Sequence, residues 1–306
     1  MQLGMIGLGK MGANMCRRLR QAGVDVVGYA PHAGAAEALA QETGLRAAKS
    51  LDELSSLLTP PRKIWVMVPA GAPTEAVISE LATKCTLGDL LIDGGNSNYR
   101  DSIRHAKQLA ASGILFADVG TSGGVWGLKN GYCLMAGGSV DALSGLTPIL
   151  QALAPAPDRG WLHVGPSGAG HFVKMVHNGI EYGMMQALAE GLNLMRAKTE
   201  FNFDLSKITE LWRHGSVVQS WLLDLTAGAL QTDQQWEAVS ERVADSGEGR
   251  WTAIEAIELG VAIPVILQAL QVRFQSQDQQ HYSEKLLSLM RNAFGGHVSA
   301  KNKESK

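Results

Sequence analysis

A glycine-rich stretch near the start of the chain, Gly7-Leu8-Gly9-Lys10-Met11-Gly12, decides the fold. It follows a short apolar run, residues 3–7, typical of a buried strand, and it opens an amphipathic stretch, residues 11–21, typical of a helix. In such a unit the first glycine permits a tight turn, the second lets the backbone approach a pyrophosphate, and the third allows close helix–strand packing. The N–H groups at the helix start then favour phosphate. The stretch predicts a dinucleotide-binding Rossmann domain; the alternatives are a flavin site and a glycine-rich turn without a ligand.

The end of the second predicted strand bears on the choice of cofactor. An acidic residue there selects NAD, and a basic residue accommodates the additional phosphate of NADP. The segment reads Tyr29-Ala30-Pro31-His32 and contains neither Asp nor Arg. His32 is either a contact for the 2′-phosphate or a solvated loop histidine. The expected cofactor is therefore NAD or NADP, and the sequence leaves the choice open.

Composition restricts the class of protein. The chain has 306 residues, enough for about two domains, and 45% of them are hydrophobic, which excludes general disorder. Lys and Arg number 27 against 29 Asp and Glu, and the net charge of −2 argues against a nucleic-acid partner. Three distant cysteines without a C-x-x-C pair disfavour a disulfide framework or a zinc site, and we expect no metal. With no signal-peptide pattern and no apolar stretch of about 20 residues, we expect a cytoplasmic enzyme without a membrane partner.

The pattern of elements changes along the chain. Strands are expected at residues 3–7, 24–29, 63–68, 90–93, 115–119 and 132–136, with helices at 11–21, 33–42, 74–83, 100–112 and 140–153. This alternation indicates a mainly parallel sheet with helices on both faces. After Gly165 helical periodicity dominates, with helices expected at 171–198, 205–213, 221–229, 251–259, 264–275 and 282–294. We predict a doubly wound α/β Rossmann domain at 1–164, an all-helical substrate and dimerisation domain at 165–297, and a disordered tail at 298–306.

Four polar residues share one face of the predicted helix 171–198, since they follow the i, i+3, i+4, i+7 spacing: Lys174, His177, Asn178 and Glu181. Their neighbours are mostly small or apolar. A lysine that loses solvation in such a setting has a lowered pKa and becomes a candidate general base. Glu181, two helical turns further on, is the matching candidate acid. The alternative is a buried Lys–Glu pair that only holds domains together.

Two polar turns follow predicted strands, where open α/β sheets bind their ligands. The first reads Asp93-Gly94-Gly95-Asn96-Ser97, and the second reads Gly120-Thr121-Ser122-Gly123-Gly124. Both provide backbone N–H groups with amide and hydroxyl side chains, which suit a polyhydroxy carboxylate. Each could equally be an ordinary Gly/Ser turn. Neither serine lies in a G-x-S-x-G motif, so a serine hydrolase is disfavoured.

Taken together, these stretches resemble the 6-phosphogluconate dehydrogenase family, a branch of the β-hydroxyacid dehydrogenases. The matching stretches follow the family's order: residues 7–14, 92–97, 122–124, 168–182, 249–252 and 291–297. The run from Lys174 to Tyr182 and the terminal R-x-x-F-G-x-H are the most specific of them. The chain is shorter than the long form of the family and resembles its compact bacterial form.

The resemblance implies a reaction, the oxidative decarboxylation of 6-phospho-D-gluconate to ribulose 5-phosphate and carbon dioxide. Lys174 would be the general base on the carbon-3 hydroxyl during hydride transfer, and then the acid during loss of carbon dioxide. Glu181 would protonate carbon 1 of the resulting enediol.

The resemblance also implies binding residues. Those for the substrate carboxylate and hydroxyls are Asn96, Ser122, Gly123, Gly124, His177 and Asn178. Those for the phosphate are Tyr182, Arg250, Arg273, Arg291 and His297, the last two from a neighbouring subunit of a homodimer or larger homo-oligomer. Those for the cofactor are Gly7, Leu8, Gly9, Lys10, Met11, Gly12, Tyr29, Ala30, His32, Val68 and Asn96.

The chain departs from the family pattern at several positions. Arg250 stands where a lysine is common in the long form, and the two cations bind phosphate with different geometry. Ala30-Pro31-His32 matches neither the Asn-Arg-Thr of NADP forms nor the acidic residue of NAD forms. Arg273 could be a solvated helix residue, and Tyr182 could serve only in helix packing. Two other functions stay open: a 3-hydroxyacid dehydrogenase acting on a small unphosphorylated acid, and a non-catalytic nucleotide-sensing protein.

Overall fold

The computed structural model describes residues 1–32, 34–232 and 236–295, without the side chains of residues 236, 294 and 295. The chain divides into two compact units, Met1–Gly179 and Ile180–Lys306, and the boundary falls inside one long helix. The domain limits expected from the sequence stay a prediction. Within the described residues, no helix combines the length and the apolar composition that crossing a bilayer requires.

The first unit is built on a sheet of eight strands, counted over the described residues. They are β1 (Gln2–Ile6), β2 (Asp25–Tyr29), β3 (Arg46–Ala47), β4 (Lys63–Val66), β5 (Leu90–Asp93), β6 (Leu115–Ser122), β7 (Cys133–Gly138) and β8 (Trp161–Gly165). Their order is β3-β2-β1-β4-β5-β6-β7-β8, and every neighbouring pair is parallel except β6 and β7. The chain therefore begins mid-sheet, runs to one edge and returns to build the other, which confirms the predicted doubly wound, mainly parallel sheet.

Helices cover both faces of this sheet. They are α1 (Lys10–Gln21), α2 (Ala35–Thr43), α3 (Leu51–Leu57), α4 (Ala72–Ala82), α5 (Tyr99–Ala110), α6 (Gly127–Asn130) and α7 (Val140–Leu153). Successive strand residues point to opposite faces. Met5 of β1 therefore joins a core with α1, α2 and α7, whereas Ile6 joins a core with α3, α4 and α5. Burial on both faces is the reason that the central strands are apolar throughout.

The second unit is helical throughout its described residues. Helix α8 (Ala169–Ala197) has 29 residues, begins in the first unit and ends in the second. The other helices are α9 (Leu205–Trp212), α10 (Trp221–Gln231), α11 (Glu248–Leu259), α12 (Pro264–Gln277) and α13 (Tyr282–Gly295). This confirms the predicted all-helical C-terminal domain. Its own core is small and centres on Tyr182, Ala253, Ala269 and Leu270.

Four of the elements named above are not predicted by the sequence patterns, namely β3, α3, β8 and the four-residue α6. Strand β3 has only two residues, and β8 lies at the sheet edge with no buried face, so neither shows an alternating apolar pattern. Helix α3 does carry a local signal. Ser50 Oγ accepts a hydrogen bond from the Glu53 N–H (3.1 Å), and Glu53 Oε2 accepts one from the Lys49 N–H (2.7 Å), which together resemble a capping box.

Candidate active site

The glycines between β1 and α1 have distinct physical roles. Gly7 has a φ of +94°, and a Cβ there would lie 2.3 Å from the Met67 carbonyl oxygen. A Cβ on Gly12 would lie 1.9 Å from the Gly7 carbonyl oxygen, so α1 packs directly on the turn. At Gly9, by contrast, a Cβ would meet no described atom within 4 Å. The backbone is therefore open at Gly9, beside a helix N-terminus that no described side chain caps, and this fits the pyrophosphate of a dinucleotide.

The other predicted cofactor residues lie around this turn. Val68 follows β4, and its Cγ1 lies 3.0 Å from the Cβ position of Gly7. The Leu8 side chain lies against β2, 3.2 Å from the Cβ position of Gly28. Lys10 and Met11 begin α1, while Tyr29, Ala30 and His32 lie at the end of β2, where His32 is exposed. These positions share the carboxyl edge of the sheet near the β1–β4 pair, where the strand order reverses and open α/β sheets bind nucleotides.

Asn96 connects the two polar turns. Its Oδ1 accepts a hydrogen bond from the Thr121 N–H (2.9 Å), and its Nδ2 donates one to the Thr121 carbonyl (3.2 Å). The residue has a φ of +53°, in the left-handed region that asparagine tolerates. The amide thus joins the loop after β5 to the end of β6. One N–H and one lone pair of the amide are not used by these two bonds and can meet a ligand.

The second turn begins inside β6, because this strand extends to Ser122. The next two residues, Gly123 and Gly124, have φ values of +128° and +52°, which turn the backbone at the strand end. Ser122 pairs with Cys133 across the antiparallel β6–β7 ladder. Partial burial of the Cys133 thiol raises its pKa, and the positive charge of Lys174 opposes that shift. Lys174 therefore lies close to the strand end that carries the turn.

Lys174 lies at the centre of a small polar cluster on α8. The residue is 5% exposed, and its Nζ donates a hydrogen bond to Asn178 Oδ1 at 2.6 Å. His177 Nδ1 lies 3.1 Å from the same oxygen, which accepts from both groups. The structure thus brings together three of the four predicted residues of this helical face.

Close backbone packing places the helix on the sheet. A Cβ on Gly120 of β6 would lie 2.3 Å from Lys174 Cβ. A Cβ on Gly170 would lie 2.4 Å from the carbonyl oxygens of both Asp118 and Met135. The start of α8 therefore contacts β6 and β7 without intervening side chains. This contact sets the distance between the lysine and the strand end.

Asp118 holds the start of α8, and sequence reasoning missed it. It is fully buried in β6, and its carboxylate accepts hydrogen bonds from the N–H groups of Gly168 (2.6 Å) and His171 (2.8 Å). His171 Nδ1 also lies 2.7 Å from Ser102 Oγ of α5. An acidic residue inside an apolar strand, Leu115 to Val119, was the signal that could have found it, since an unpaired buried carboxylate is costly.

Glu181 lies on α8 in the second unit and is half-buried. It is seven residues beyond Lys174 on one unbroken helix, so both residues belong to the same helical face. The continuous helix supports the sequence-based spacing argument. Its catalytic role stays a prediction.

A cluster in the second unit contains three of the predicted phosphate residues. The Arg273 guanidinium carbon lies 3.7 Å from the centre of the Tyr182 ring, and Tyr182 is 6% exposed. A Cβ on Gly249 would lie 2.5 Å from that ring, so the start of α11 packs against it. Arg250 follows directly, and its guanidinium lies 5.1 Å from the ring of Phe274, next to Arg273. Tyr182 is thus both a packing residue and a direct neighbour of the Arg273 cation.

The remaining two phosphate residues lie at the end of the chain. Arg291 belongs to α13 and is exposed. His297 lies outside the described residues. Among the described residues, no group of three His, Cys, Asp or Glu side chains is arranged to hold a metal ion.

Comparison with known proteins covers both units. Residues 2–165 match a family model described as the NAD binding domain of 6-phosphogluconate dehydrogenase. Residues 170–305 match the model of the 6-phosphogluconate dehydrogenase C-terminal domain. The two models together span almost the whole chain.

Individual relatives agree with these family models. A Haloferax volcanii protein named NAD(+)-dependent, decarboxylating 6-phosphogluconate dehydrogenase is 40% identical over 302 residues, which cover 98% of this chain and 99% of that protein. A decarboxylating 6-phosphogluconate dehydrogenase of Synechococcus elongatus is 38% identical over 96% of this chain but only 66% of its own length. The solved 6-phosphogluconate dehydrogenase of Plasmodium falciparum matches 100% of this chain and 67% of its own, with a TM-score of 0.84 at 28% identity. From the site geometry and these matches, the chain belongs to the 6-phosphogluconate dehydrogenase family.

Proposed function

We propose that the protein catalyses the oxidative decarboxylation of 6-phospho-D-gluconate to D-ribulose 5-phosphate and carbon dioxide, with reduction of NAD(P)+. The observation that carries the proposal is the buried Lys174, bonded to Asn178 on a helix that packs directly on β6. A general base at the carboxyl edge of a dinucleotide-binding sheet is suited to the oxidation of a secondary alcohol. The name of the Haloferax volcanii relative supports the substrate.

The first step oxidises carbon 3 from alcohol to ketone, by removal of a hydride from the carbon and a proton from its hydroxyl. A bound nicotinamide ring supplies the acceptor for the hydride that leaves carbon 3. Lys174, as the neutral amine, takes the proton of the carbon-3 hydroxyl as that hydride departs. Its bond to Asn178 holds the nitrogen in place during the transfer.

The second step breaks the bond between carbons 1 and 2. Lys174, now protonated, donates its proton to the carbon-3 ketone oxygen, which draws in the electron pair released when carbon 1 leaves as carbon dioxide. The product is an enediol. Glu181, on the same face of α8, then protonates the former carbon 2, now carbon 1, while the neutral Lys174 takes back the proton of the enol hydroxyl, and ribulose 5-phosphate results.

Polar groups around Lys174 are proposed to hold the sugar acid. The Ser122 hydroxyl and the backbone of Gly123 and Gly124 would contact the carboxylate, and the unused half of the Asn96 amide would contact a hydroxyl. The Asn178 amide nitrogen and His177 would contact the other hydroxyls. A charged cofactor and a phosphorylated substrate do not cross membranes freely, so the cytoplasm is the proposed location.

The proposal is tested by incubating the purified protein with 6-phosphogluconate and NAD or NADP. Reduced cofactor and carbon dioxide should form in equal amounts. A small 3-hydroxyacid as the better substrate would favour the simpler dehydrogenase, and no turnover of any acid would favour a nucleotide-sensing protein.

We expect NAD to be preferred over NADP, because the similar Haloferax volcanii protein is named NAD(+)-dependent. The segment that ends β2, Tyr29 to His32, carries no Lys or Arg, so the 2′-phosphate of NADP has no fixed cation there. The specificity constant with NAD should exceed that with NADP by about tenfold or more. Replacing Pro31 by Arg should narrow this ratio, whereas Pro31→Ala, which adds no charge, should leave it unchanged. An equal or higher constant with NADP in the wild-type protein would contradict the expectation.

We further propose that two copies of the chain associate and that the C-terminal residues of one reach the site of the other. An apolar groove of about 890 Å³ lies between α8, α9 and α10 in the second unit. Its lining residues include Met185, Leu188, Leu192, Leu222 and Leu225. An open groove lined mainly by apolar side chains is typical of an interface. The small hydrophobic core of the second unit also supports association of two copies of the chain.

Shared sites make a quantitative prediction for mixed oligomers. Lys174→Ala and Arg291→Ala variants, each nearly inactive alone, should form active sites when co-expressed with different tags. In a heterodimer one site has both residues intact and the other has neither, so a random mixture should recover about a quarter of wild-type activity. The measurement is turnover of the mixture against the separate variants. If isolated heterodimers have no activity, each site is built from one chain and the proposal of shared sites is wrong.

A further inference from the structure

The 244–248 loop, which consists of residues 244–247 and the first residue of α11, contacts the side chains expected to bind phosphate. The Ala244 carbonyl accepts a hydrogen bond from Arg273 Nη1 at 2.9 Å. Asp245 Oδ2 accepts two bonds from Arg250, one from Nε at 3.1 Å and one from Nη2 at 2.8 Å. Consecutive residues of the loop thus hold two different arginines.

The next loop residue holds the tyrosine. Ser246 Oγ lies 3.1 Å from the Tyr182 hydroxyl, which also accepts a bond from the Ser246 N–H at 3.3 Å. Ser246 Oγ in turn donates to Glu248 Oε2, and Glu248 is buried at the start of α11. A carboxylate only accepts, so the serine proton is committed to Glu248 and the tyrosine hydroxyl donates to the serine oxygen. The chain of bonds from Tyr182 to Glu248 therefore has one direction.

The loop is itself held in place. The Asp245 side chain is 3% exposed, and its second oxygen accepts the Gly247 N–H at 3.0 Å. Gly247 has a φ of +105°, a conformation that suits glycine. The Arg250 side chain, by contrast, is 56% exposed. Asp245 therefore anchors one edge of the guanidinium, and no hydrogen bond within the described residues is shown for its three other N–H groups.

We propose that the 244–248 loop is the positioning element of the phosphate site, and that Asp245, Ser246 and Glu248 act through the residues they hold. The inference rests on the proposed function, since it concerns the phosphate of that substrate. Long arginine side chains lose much conformational freedom on binding. A loop that orients them in advance lowers that cost, which appears as tighter binding of the phosphorylated substrate.

Electrostatic repulsion between Asp245 and the substrate phosphate would instead weaken binding of the phosphorylated substrate. Asp245 carries a negative charge close to the proposed site of a phosphate dianion. If repulsion dominated, removal of this charge would strengthen phosphate binding. If Asp245 mainly orients Arg250, Asp245→Asn should weaken phosphate binding. If it mainly repels the ligand, the same variant should strengthen phosphate binding, so the direction of the change in affinity decides between the two effects.

The test compares 6-phosphogluconate with gluconate, which lacks the phosphate. Asp245→Asn and Ser246→Ala should each lower kcat/KM for 6-phosphogluconate by about tenfold, mainly through KM, and change that for gluconate less than about twofold. Ser246→Thr keeps the hydroxyl, so its kcat/KM for 6-phosphogluconate should be much closer to the wild-type value than that of Ser246→Ala. The matched control is Asp25→Asn at the amino end of β2, where Asp25 pairs with Arg46 at 2.9 Å outside the site.

A second measurement uses inorganic phosphate as a competitive inhibitor against 6-phosphogluconate. Its inhibition constant should rise about tenfold in Asp245→Asn and stay constant in Asp25→Asn. An unchanged or lower constant, or an equal loss on both sugar acids, would overturn the inference. If the wild-type protein does not turn over 6-phosphogluconate at all, the proposed function itself fails, and this outcome is distinct from the others.

Discussion

Replacing Lys174 by Met should lower kcat with 6-phosphogluconate by about a thousandfold or more. Methionine keeps an unbranched chain that can pack over Gly120, where the Cβ of Lys174 approaches the backbone closely. It removes only the nitrogen that takes and returns the proton in both chemical steps. Binding of the cofactor should stay within about twofold of wild type, because its proposed contacts are at the glycine turn. Steady-state kinetics and titration with reduced cofactor provide the two measurements.

The control for this variant is Lys107→Met on the exposed surface of α5, which should have wild-type kinetics. Thermal unfolding of both variants checks that they fold. A Lys174→Met protein that folds, binds cofactor and retains more than about a tenth of wild-type kcat would contradict the proposed base.

Alanine at Gly9 and at Gly12 should separate cofactor binding from folding. A Cβ on Gly9 meets no described atom, and its φ of −67° suits any L-residue, so Gly9→Ala should fold with wild-type stability. Its methyl group would, however, stand where the pyrophosphate approaches, and we expect the cofactor Kd to rise by about tenfold to a hundredfold. Gly12→Ala places a Cβ 1.9 Å from the Gly7 carbonyl oxygen, so α1 must move off the turn and the melting temperature should fall.

Gly145→Ala in α7 is the matched control for both variants. Its Cβ would lie 3.5 Å from the Lys63 side chain, an ordinary contact distance, and alanine in a helix interior is more stable than glycine by about 0.5–1 kcal/mol. It should bind cofactor normally and melt slightly higher. Calorimetric titration with NADH and thermal unfolding supply the measurements. If Gly9→Ala binds NADH with wild-type affinity, the pyrophosphate of the cofactor does not pass over this glycine.

Much of the fold follows from local sequence. The glycine turn at Gly7–Gly12 and the apolar strands around it predict a doubly wound sheet, because burial on both faces leaves an uninterrupted apolar signal. The long helix α8 is predicted for a similar reason, since its periodicity extends over many turns. Strand β8 is not predicted, because it lies at an edge and owes its pairing to β7 rather than to its own composition. The extension of β6 to Ser122 likewise depends on its pairing with Cys133.

The residues of the candidate site likewise fall into those that local sequence predicts and those that only the structure reveals. Spacing along α8 identifies Lys174 and Asn178 as neighbours, and the structure places them 2.6 Å apart. Asp118 and Asn96 are different, because their partners are far away in the sequence: Asp118 binds the N–H of His171, and Asn96 binds the backbone of Thr121. A hydrogen bond between distant segments leaves no periodic mark in either segment.

The sequence by itself determined the type of sheet, the site of the dinucleotide turn and the helix that carries the proposed base, because helical and strand periods and glycine requirements act between near neighbours. Only the tertiary structure decided that Asp118 caps that helix and that residues 244–248 hold Tyr182 and Arg273. These contacts join segments separated by tens of residues. Their geometry is set by how buried faces pack, and no local pattern encodes it.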